Sequence, residues 1–434
     1  MKVAVVGAGP VGVASAAVYA LSGHQVTLVE KDGERRAILA AGSLPFHEEG
    51  LAHAWNGLGS GVRLVPELAD CPRPDVVVSC VGTPSRRDGA ADLSQVDALV
   101  DTLSRLPRTL LVMRSTVPPG TGEQLAARLA AWGHAYAAQP EFLQEGTALE
   151  DSLRPSRVVI GARAKEVHDL VAALTPGLRS PLLRVDIPTA EFIKIAANAH
   201  LAMRVSFMNE MAGLCERVGA DVEQVAAGIG LDPRIGPHFL RAGLGYGGSC
   251  FPKDTRALSA LGRLLDADLP LLSAVITVNA AQPRRCVGEL SSRLGGLRGR
   301  PIGVWGLAFK PGTDDVRESQ ALRLVEELAD GGARVAVHDP VVSPRIGLPS
   351  GVRRAATPLE AARGACAVVL ATEWPEYRGL DPAAVAQVMR APALVLDARN
   401  ALAAPEWERA GLEYRGMGRG RPQVTPALGA AAHG

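Results

Sequence analysis

Val3-Ala4-Val5-Val6-Gly7-Ala8-Gly9-Pro10-Val11-Gly12 reads as a buried strand running into a glycine turn. An alanine-rich helical segment follows to Leu21. Gly23 ends it, and Val26-Thr27-Leu28-Val29-Glu30 forms the next strand. Strand, glycine turn, helix and strand within about 30 residues is the setting in which a G-x-G-x-x-G run holds a dinucleotide. Gly7 makes the tight turn, Gly9 lets backbone approach a pyrophosphate, and Gly12 lets helix pack on strand. With Val11 they form the expected cofactor cradle. Glu30 closes the second strand, placed to accept from ribose hydroxyls and to repel a 2′-phosphate, so NAD is expected rather than NADP. Arg35 lies close by and works against that preference.

Further apolar runs follow at Val76–Val81, Leu110–Met113 and Val158–Ile160. The first two end in Gly82-Thr83-Pro84 and Ser115-Thr116-Val117-Pro118-Pro119-Gly120. Ligands bind open parallel sheets at the carboxyl ends of the strands, which makes Thr83 and Thr116 expected cofactor neighbours. Ordinary turn chemistry would also account for them. From Thr189 to Val218 the pattern is helical and long, about 45 Å at 1.5 Å per residue. Glu191, Lys194 and Asn198 share one face of it. A solvated face with a surface ion pair is the plain reading, yet Phe192, Ile193, Ile195, Ala196 and Ala197 surround Lys194 with apolar residues. A second strand-and-glycine-turn unit begins near Pro301, with strands expected at 302–305, 333–339, 367–370 and 393–397 and a helix at 319–329. It weakly repeats the first. The expected fold is α/β: two Rossmann-like doubly wound domains joined by a central long-helix domain. A flexible tail is expected over 416–434, where glycine, alanine and proline dominate.

The other telling run is Gly245-Tyr246-Gly247-Gly248-Ser249-Cys250-Phe251-Pro252-Lys253-Asp254. A glycine-rich loop delivers a cysteine to the expected first turn of a helix, with Pro252 near its start. The partial positive charge of a helix N-terminus favours thiolate over thiol, and Lys253 adds a cation. A free cysteine titrates near ~8.5, so such a site suits a reactive thiolate at neutral pH. A small buried turn cysteine is the bland alternative. Three glycines and the polar residues that follow favour the functional reading.

Composition sets the bounds. The chain has 434 residues, 47% hydrophobic and 21% charged, with net charge +1. That fits two or three globular domains and gives no reason to expect nucleic acid or an anionic membrane as partner. Cys71, Cys80, Cys215, Cys250, Cys286 and Cys366 form no C-x-x-C pair, so neither a metal site nor a disulfide framework is expected, and a reduced cytoplasmic setting fits. Met1-Lys2 and the Ala14-Ser15-Ala16 triplet imitate a secretion signal, but Gly7, Gly9, Pro10 and Gly12 interrupt the apolar run. Only Lys2, Lys31, Lys165, Lys194, Lys253 and Lys310 are lysines among 46 basic residues. Against an arginine-rich background, a lysine suggests a place where a compact, titratable ammonium is needed.

The segments GAGPVG (7–12), LPFHEEGL (44–51), VGTPS (81–85), RSTVPPGT (114–121), QPEFLQEGTALED (139–151), EFIKIAANAHLA (191–202), DPRIGPHFLRAGLGYGGSCFPKDTRAL (232–258), GLAFKPGTDDVRES (306–319) and DARN (397–400) occur in an order and spacing that resemble the UDP-glucose/GDP-mannose dehydrogenases over nearly the whole chain. The resemblance implies an NAD-dependent oxidation of a nucleotide sugar's C6 alcohol to a carboxylate, using two NAD. It implies an NAD-binding domain (1–188), a central helical dimerisation and active-site domain (189–295) and a nucleotide-sugar-binding domain (296–415). A homodimer or higher oligomer is implied as well. Cys250 is the implied nucleophile, with Lys194, Asn198 and Asp254 around the reacting carbon and a water that Thr116 helps place. Glu141 and Glu145 line the sugar and nicotinamide region. Phe142, Leu143, Gln144 and Glu145, the run Phe239, Leu240, Arg241, Ala242, Gly243, and Gly247 are implied to wrap the sugar nucleotide. Lys310 and Arg399 would contact it, and Arg234 would reach a neighbouring subunit's site. Glu30, Arg35, Thr83, Lys253 and Arg317 would hold NAD. The chain departs from the family pattern at Pro10, where tyrosine is usual and where one phosphate contact is lost with the missing N–H. It departs also at Glu30 (more often aspartate), Gln139 (often asparagine) and Arg241 (lysine in some relatives).

The chemistry explains the residue types. An aldehyde releases no hydride until a nucleophile adds to it. A thiolate adds well, giving a thiohemiacetal and then, after the second oxidation, a thioester that water hydrolyses. Lys194 and Asn198 suit developing oxyanions. A water near Lys194, Asp254 or Thr116 is the expected acceptor of the first proton, and Glu145 or Asp254 the expected aid to hydrolysis. The sequence does not choose among these bases. The cysteine run is more like the UDP-glucose members than the GDP-mannose ones, which implies UDP-glucose going to UDP-glucuronate. GDP-mannose, a TDP-sugar and a UDP-N-acetylhexosamine stand as alternatives. A single-step β-hydroxyacid dehydrogenase would share the lysine and asparagine but needs neither Cys250 nor a third domain. An inactive nucleotide-sugar-binding protein would not need the complete polar set.

Overall fold

The computed structural model describes residues 1–175 and 179–420. They form two compact units, one made of Met1–Asn198 with Lys253–Asp268, the other of Ala199–Pro252 with the chain from Leu269 onward.

The first unit is built on eight strands: β1 (Lys2–Val6), β2 (Gln25–Val29), β3 (Val62–Val65), β4 (Val76–Ser79), β5 (Leu110–Met113), β6 (Ala135–Ala138), β7 (Val158–Gly161) and β8 (Leu182–Val185). Their order is β3-β2-β1-β4-β5-β6-β7-β8. Val3, Val5, Val76, Val78, Leu110 and Val112 face one core. Ala4, Val77, Leu111 and Met113 face the other. The period-2 alternation therefore fills both faces, which is why these strands read as unbroken apolar runs. The strand order reverses at β1, between β2 and β4, so the glycine turn lies where a doubly wound sheet opens a crevice. All pairings are parallel except β6 with β7, which meet antiparallel at Ala138 and Gly161. The apolar pattern of neither strand encodes that direction.

The second unit carries a six-stranded parallel sheet: β9 (Pro301–Trp305), β10 (Arg334–His338), β11 (Arg353–Arg354), β12 (Ala367–Leu370), β13 (Leu394–Asp397) and β14 (Glu413–Gly416), in the order β11-β10-β9-β12-β13-β14. The same order reversal flanks β9, so the expected weak repeat is a structural one. Its core holds Trp305, which stacks on Tyr377 with ring centroids 5.8 Å apart.

The long helix expected from 189 spans Ile187–Val218. Its residues through Asn198 belong to the first unit and the rest to the second. Ile187 and Ala190 enter the first unit's core, while Met208, Ala212 and Cys215 pack in the second. No helix among the described residues is long and apolar enough to cross a membrane.

The flexible tail expected from 416 starts too early. Met417 is 2% exposed. Gly418 donates its N–H to Glu216 Oε1 at 2.7 Å, and Gly420 to the Ala220 carbonyl at 2.9 Å. Two glycines and a methionine look uncommitted in a composition count, but here the glycines are small enough to lie against the long helix's end and Met417 joins the second sheet's core. Residues 421–434, the rest of that tail, lie outside the described residues.

Candidate functional site

The glycine turn of the first unit is made by backbone constraint. Gly7 sits at φ 99°, and a Cβ on Gly12 would lie 1.8 Å from the Gly7 carbonyl oxygen, so any side chain there breaks the turn. A Cβ on Gly9 would meet nothing within 4 Å, which leaves that backbone open to a ligand. Gly9 caps the Pro10–Leu21 helix and Pro10 is its first residue. The N–H that Pro10 lacks has no partner inside a helix anyway, so the helix is unharmed. Glu30 follows β2 directly. Its Oε2 accepts from Ala8 N–H at 3.0 Å and its Oε1 from Asp32 N–H at 2.9 Å, which pins the carboxylate beside the turn. These features fit a dinucleotide: an open helix N-terminus, close backbone and an acid at the second strand's end. Arg35 gives its backbone N–H to the Asp32 side chain at 3.0 Å and is exposed. Arg36 is the one whose guanidinium reaches the Glu30 carbonyl, at 2.6 Å. Thr83 Oγ1 donates to the Thr116 carbonyl at 2.8 Å, joining the two expected cofactor neighbours.

A buried charge pair stands at the long helix. Lys194 is 3% exposed, and its Nζ lies 3.3 Å from Glu141 Oε1 and 5.4 Å from the centre of the Phe142 ring. The solvated surface pair that the helix spacing allows is not what forms. Glu191 instead turns its carboxylate to the N–H groups of Gly120 and Gly122. Glu141 Oε2 accepts from Leu143 N–H at 2.6 Å. One turn after Lys194, Asn198 Nδ2 donates to Asp254 Oδ2 at 2.6 Å. Lys253 Nζ holds Asp254 Oδ1 at 2.5 Å. Asp254 is 1% exposed, and burial of this kind strengthens each of these contacts while making each costly to break. Gln144 gives its N–H to Asp151, and Glu145 is half-buried. Glu48, whose role nothing in its sequence context signals, holds this loop: it accepts from Gly146 N–H at 2.7 Å and Ala148 N–H at 2.9 Å.

The cysteine loop belongs to the second unit. Gly243 N–H donates to Asn209 Oδ1 at 2.7 Å, and Leu244 N–H to the Ala398 carbonyl at 2.9 Å. Asn279 both accepts from Tyr246 N–H (2.8 Å) and donates to its carbonyl (3.0 Å). Gly248 N–H reaches the Arg317 carbonyl at 2.9 Å. A Cβ on Gly247 would lie 2.4 Å from the Glu318 carbonyl oxygen, and one on Gly248 would lie 2.7 Å from the Phe309 ring. The loop is wedged shut at both glycines. Cys250 is half-buried, with Ser249 Oγ 3.6 Å from its Sγ. The helix begins at Phe251, so Cys250 stands just ahead of its first turn and not within it. Pro252, with no N–H to contribute, marks that start. Phe239, at φ 62°, and Tyr246 both set their rings against Phe251, at 6.0 and 5.9 Å.

The remaining expected substrate residues are arranged differently from one another. Leu240, Ala242 and Gly243 are buried and Arg241 is exposed. Arg399 Nε, Nη1 and Nη2 donate to the carbonyls of Ala371, Gly245 and Phe309 at 2.7, 3.1 and 3.2 Å, tying β13's end to the cysteine loop. Lys310 Nζ is 5.8 Å from the centre of the Phe309 ring. Arg234 is 86% exposed in its side chain and forks onto Asp232, and Arg317 forks onto Asp315.

Comparison with known proteins gives the context for these features. Residues 1–175 match the UDP-glucose/GDP-mannose dehydrogenase family's NAD binding domain, 188–281 its central domain and 303–404 its UDP binding domain. A UDP-glucose 6-dehydrogenase of Pseudomonas aeruginosa is 43% identical, covering 97% of this chain and 98% of its own length. One from Rhizobium meliloti is 42% identical, covering 96% and 100%. A UDP-glucose dehydrogenase structure from Pyrobaculum islandicum superposes with TM-score 0.89 at 38% identity, covering 96% of this chain and 97% of that one. A UDP-D-ManNAc dehydrogenase from Pyrococcus horikoshii superposes with TM-score 0.86 at 26% identity, covering 97% and 100%.

Proposed function

This chain belongs to the UDP-glucose/GDP-mannose dehydrogenase family, NAD-dependent dehydrogenases of nucleotide sugars, and from that premise we propose that it oxidises the C6 alcohol of UDP-glucose to the carboxylate of UDP-glucuronate. The observation that carries the reading is the polar set at the start of the Phe251–Leu264 helix. Cys250 stands just ahead of it, Asp254 lies in its first turn, and Asn198 is bound to Asp254. The names of the Pseudomonas, Rhizobium and Pyrobaculum relatives support UDP-glucose. The Pyrococcus relative keeps a UDP-N-acetylhexosamine as the alternative.

NAD, when bound, supplies the hydride acceptor for both oxidations; Gly7, Gly9, Val11, Gly12, Glu30, Thr83 and Thr116 are the residues proposed to hold it. In the first step a water beside Lys194, Asp254 or Thr116 takes the proton of the C6 alcohol as hydride leaves. The aldehyde carbonyl is then attacked by the Cys250 thiolate, forming a C–S bond and placing negative charge on oxygen. A buried ammonium and a fixed amide suit that charge, since little solvent competes for it, and Lys194 and Asn198 are proposed for this role. The thiohemiacetal oxyanion re-forms its C=O bond as the second hydride leaves, giving a thioester. Water adds to the thioester with help from Glu145 or Asp254, and the thiolate leaves. Glu141, ion-paired with the buried Lys194, is proposed, with the loop 142–145, to line the sugar.

The test is a spectrophotometric assay of NADH formation with UDP-glucose, TDP-glucose, GDP-mannose and UDP-N-acetyl sugars. Two NADH per UDP-glucose, with uronate as product, is the expected result. One NADH per sugar with free aldehyde released, or turnover only with another nucleotide sugar, overturns the reading.

A further inference from the structure

The Thr116 loop and the Lys194 helix are tied together by a carboxylate that none of the proposed steps uses. Glu191 lies on the long helix one turn before Lys194 and is 4% exposed. Its Oε2 accepts from Gly120 N–H at 2.8 Å and its Oε1 from Gly122 N–H at 2.7 Å. Gly120, at φ 92°, caps the Thr121–Ala130 helix that follows the loop 115–120. Gly122 has to be glycine for this contact: a Cβ there would lie 2.5 Å from Glu191 Oε1 and 2.7 Å from the Tyr136 hydroxyl. Thr116, Glu191 and Lys194 also line one small cavity, of about 10 Å³, with Ser115 and Val117. A carboxylate spanning two amides thus anchors the end of the loop bearing Thr116 to this helix.

We propose that Glu191 is a positioning residue for the oxidation, fixing the Thr116 loop against the helix that carries Lys194. This rests on the roles proposed above for Thr116 and Lys194. A carboxylate is needed because it alone offers an acceptor oxygen to each of two N–H groups. A protonated or amidated group presents a hydrogen to one of them and loses that bond. Burial pushes the Glu191 carboxyl up to about 7, against the pull of the two amide bonds, with Glu123 adding to the rise. The titratable and charged groups facing it are Lys194 on its own helix, Tyr136 from β6 and Glu123 from the Thr121–Ala130 helix, with Glu123 itself paired to Arg163. The clamp therefore loosens as pH falls below about 7.

The test compares wild type with Glu191→Gln, Glu191→Asp and Gly122→Ala, each as the full chain, in the NADH assay. Expected for Glu191→Gln is a kcat lower by about 10- to 100-fold, the scale of a displaced catalytic group, with KM for nucleotide sugar and for NAD changed by less than about threefold. The acid limb of kcat near pH 7 disappears, and amide hydrogen exchange quickens in the peptide covering 114–125. Glu191→Asp restores part of the rate, and Gly122→Ala reproduces the loss from the loop side. An unchanged kcat and exchange rate in Glu191→Gln, or an acid limb that persists in it, overturns the inference. Lys194→Ala is run alongside. If it turns over normally the roles proposed above fail, whereas an inactive Lys194→Ala beside a fully active Glu191→Gln sinks this inference alone.

Discussion

Asn198 and Asp254, 56 residues apart in sequence, meet through a buried hydrogen bond of 2.6 Å from amide Nδ2 to carboxylate Oδ2. The contact orients both groups. Lys253 holds the other oxygen of Asp254, and the Asn198 amide nitrogen has a second hydrogen to donate. Replacing Asn198 by aspartate keeps the shape and puts a second carboxylate against the first. Like charges at that distance cannot both stay ionised. We expect Asn198→Asp to lose stability on the order of 2 kcal/mol by urea unfolding and to be severely impaired in kcat. A variant as stable and as fast as wild type would show that the pair does not organise the site.

Cysteine reactivity gives a second prediction. Burial pushes the Cys71 and Cys80 thiols up to about 11 and Cys286 up to about 12, and raises Cys215. None of these four is a ready thiolate at neutral pH. Iodoacetamide at pH 7.5 should therefore label Cys250 first and abolish turnover in step with labelling, followed by peptide mass spectrometry. Cys250→Ser should give no uronate. Inactivation that tracks another cysteine would remove Cys250 from the mechanism.

Glu191 also makes stability depend on pH. Its folded value of about 7 lies above the ordinary unfolded value near ~4.3. Between those values the folded chain binds the extra proton, so its contribution is full below about 4.3 and is lost as pH rises through about 7. The difference in unfolding free energy between wild type and Glu191→Gln should fall across that window, by at most about 4 kcal/mol. Urea titrations at pH 5, 6, 7 and 8 measure it. A difference that is flat or rises with pH contradicts the assignment.

Glu30 is held by two backbone amides at the glycine turn. Glu30→Ala removes an acceptor from both. We expect the dissociation constant for NAD to rise by about tenfold, the worth of roughly one good hydrogen bond, with the affinity for nucleotide sugar unchanged. Isothermal titration with each ligand checks it, and equal weakening of both would point to a damaged fold.

The parts legible in the sequence were those whose signal is local. The β1 strand, its glycine turn and β2 announce themselves by apolar runs, a fixed glycine spacing and Glu30. The long helix was legible because its pattern continues unbroken from 189 to 218, within two residues of its observed start. What escaped were carboxylates whose partners are backbone amides. Glu48 holding Gly146 and Ala148, and Glu191 holding Gly120 and Gly122, leave no mark, since any residue but proline offers an N–H. The bond from Arg36 to the Glu30 carbonyl leaves no mark either, because one position of helical rotation decides which guanidinium reaches it. Strand direction was also hidden. The apolar content of β7 is the same whichever way it runs, so its antiparallel contact with β6 had no trace in composition. The tail was misjudged at 417–420 because small residues that pack tightly have the same composition as small residues that pack against nothing.

The wedge at Gly247 and Gly248 alters how kinship in such chains should be interpreted. Their lack of side chains answers to the Glu318 carbonyl and the Phe309 ring, neither of which takes part in bond making. A descendant that had abandoned oxidation would still keep both glycines, because losing them would cost it the loop. Anyone sorting working members from silent ones by motif should weigh position 250 and its polar neighbours, and give the paired glycines no vote.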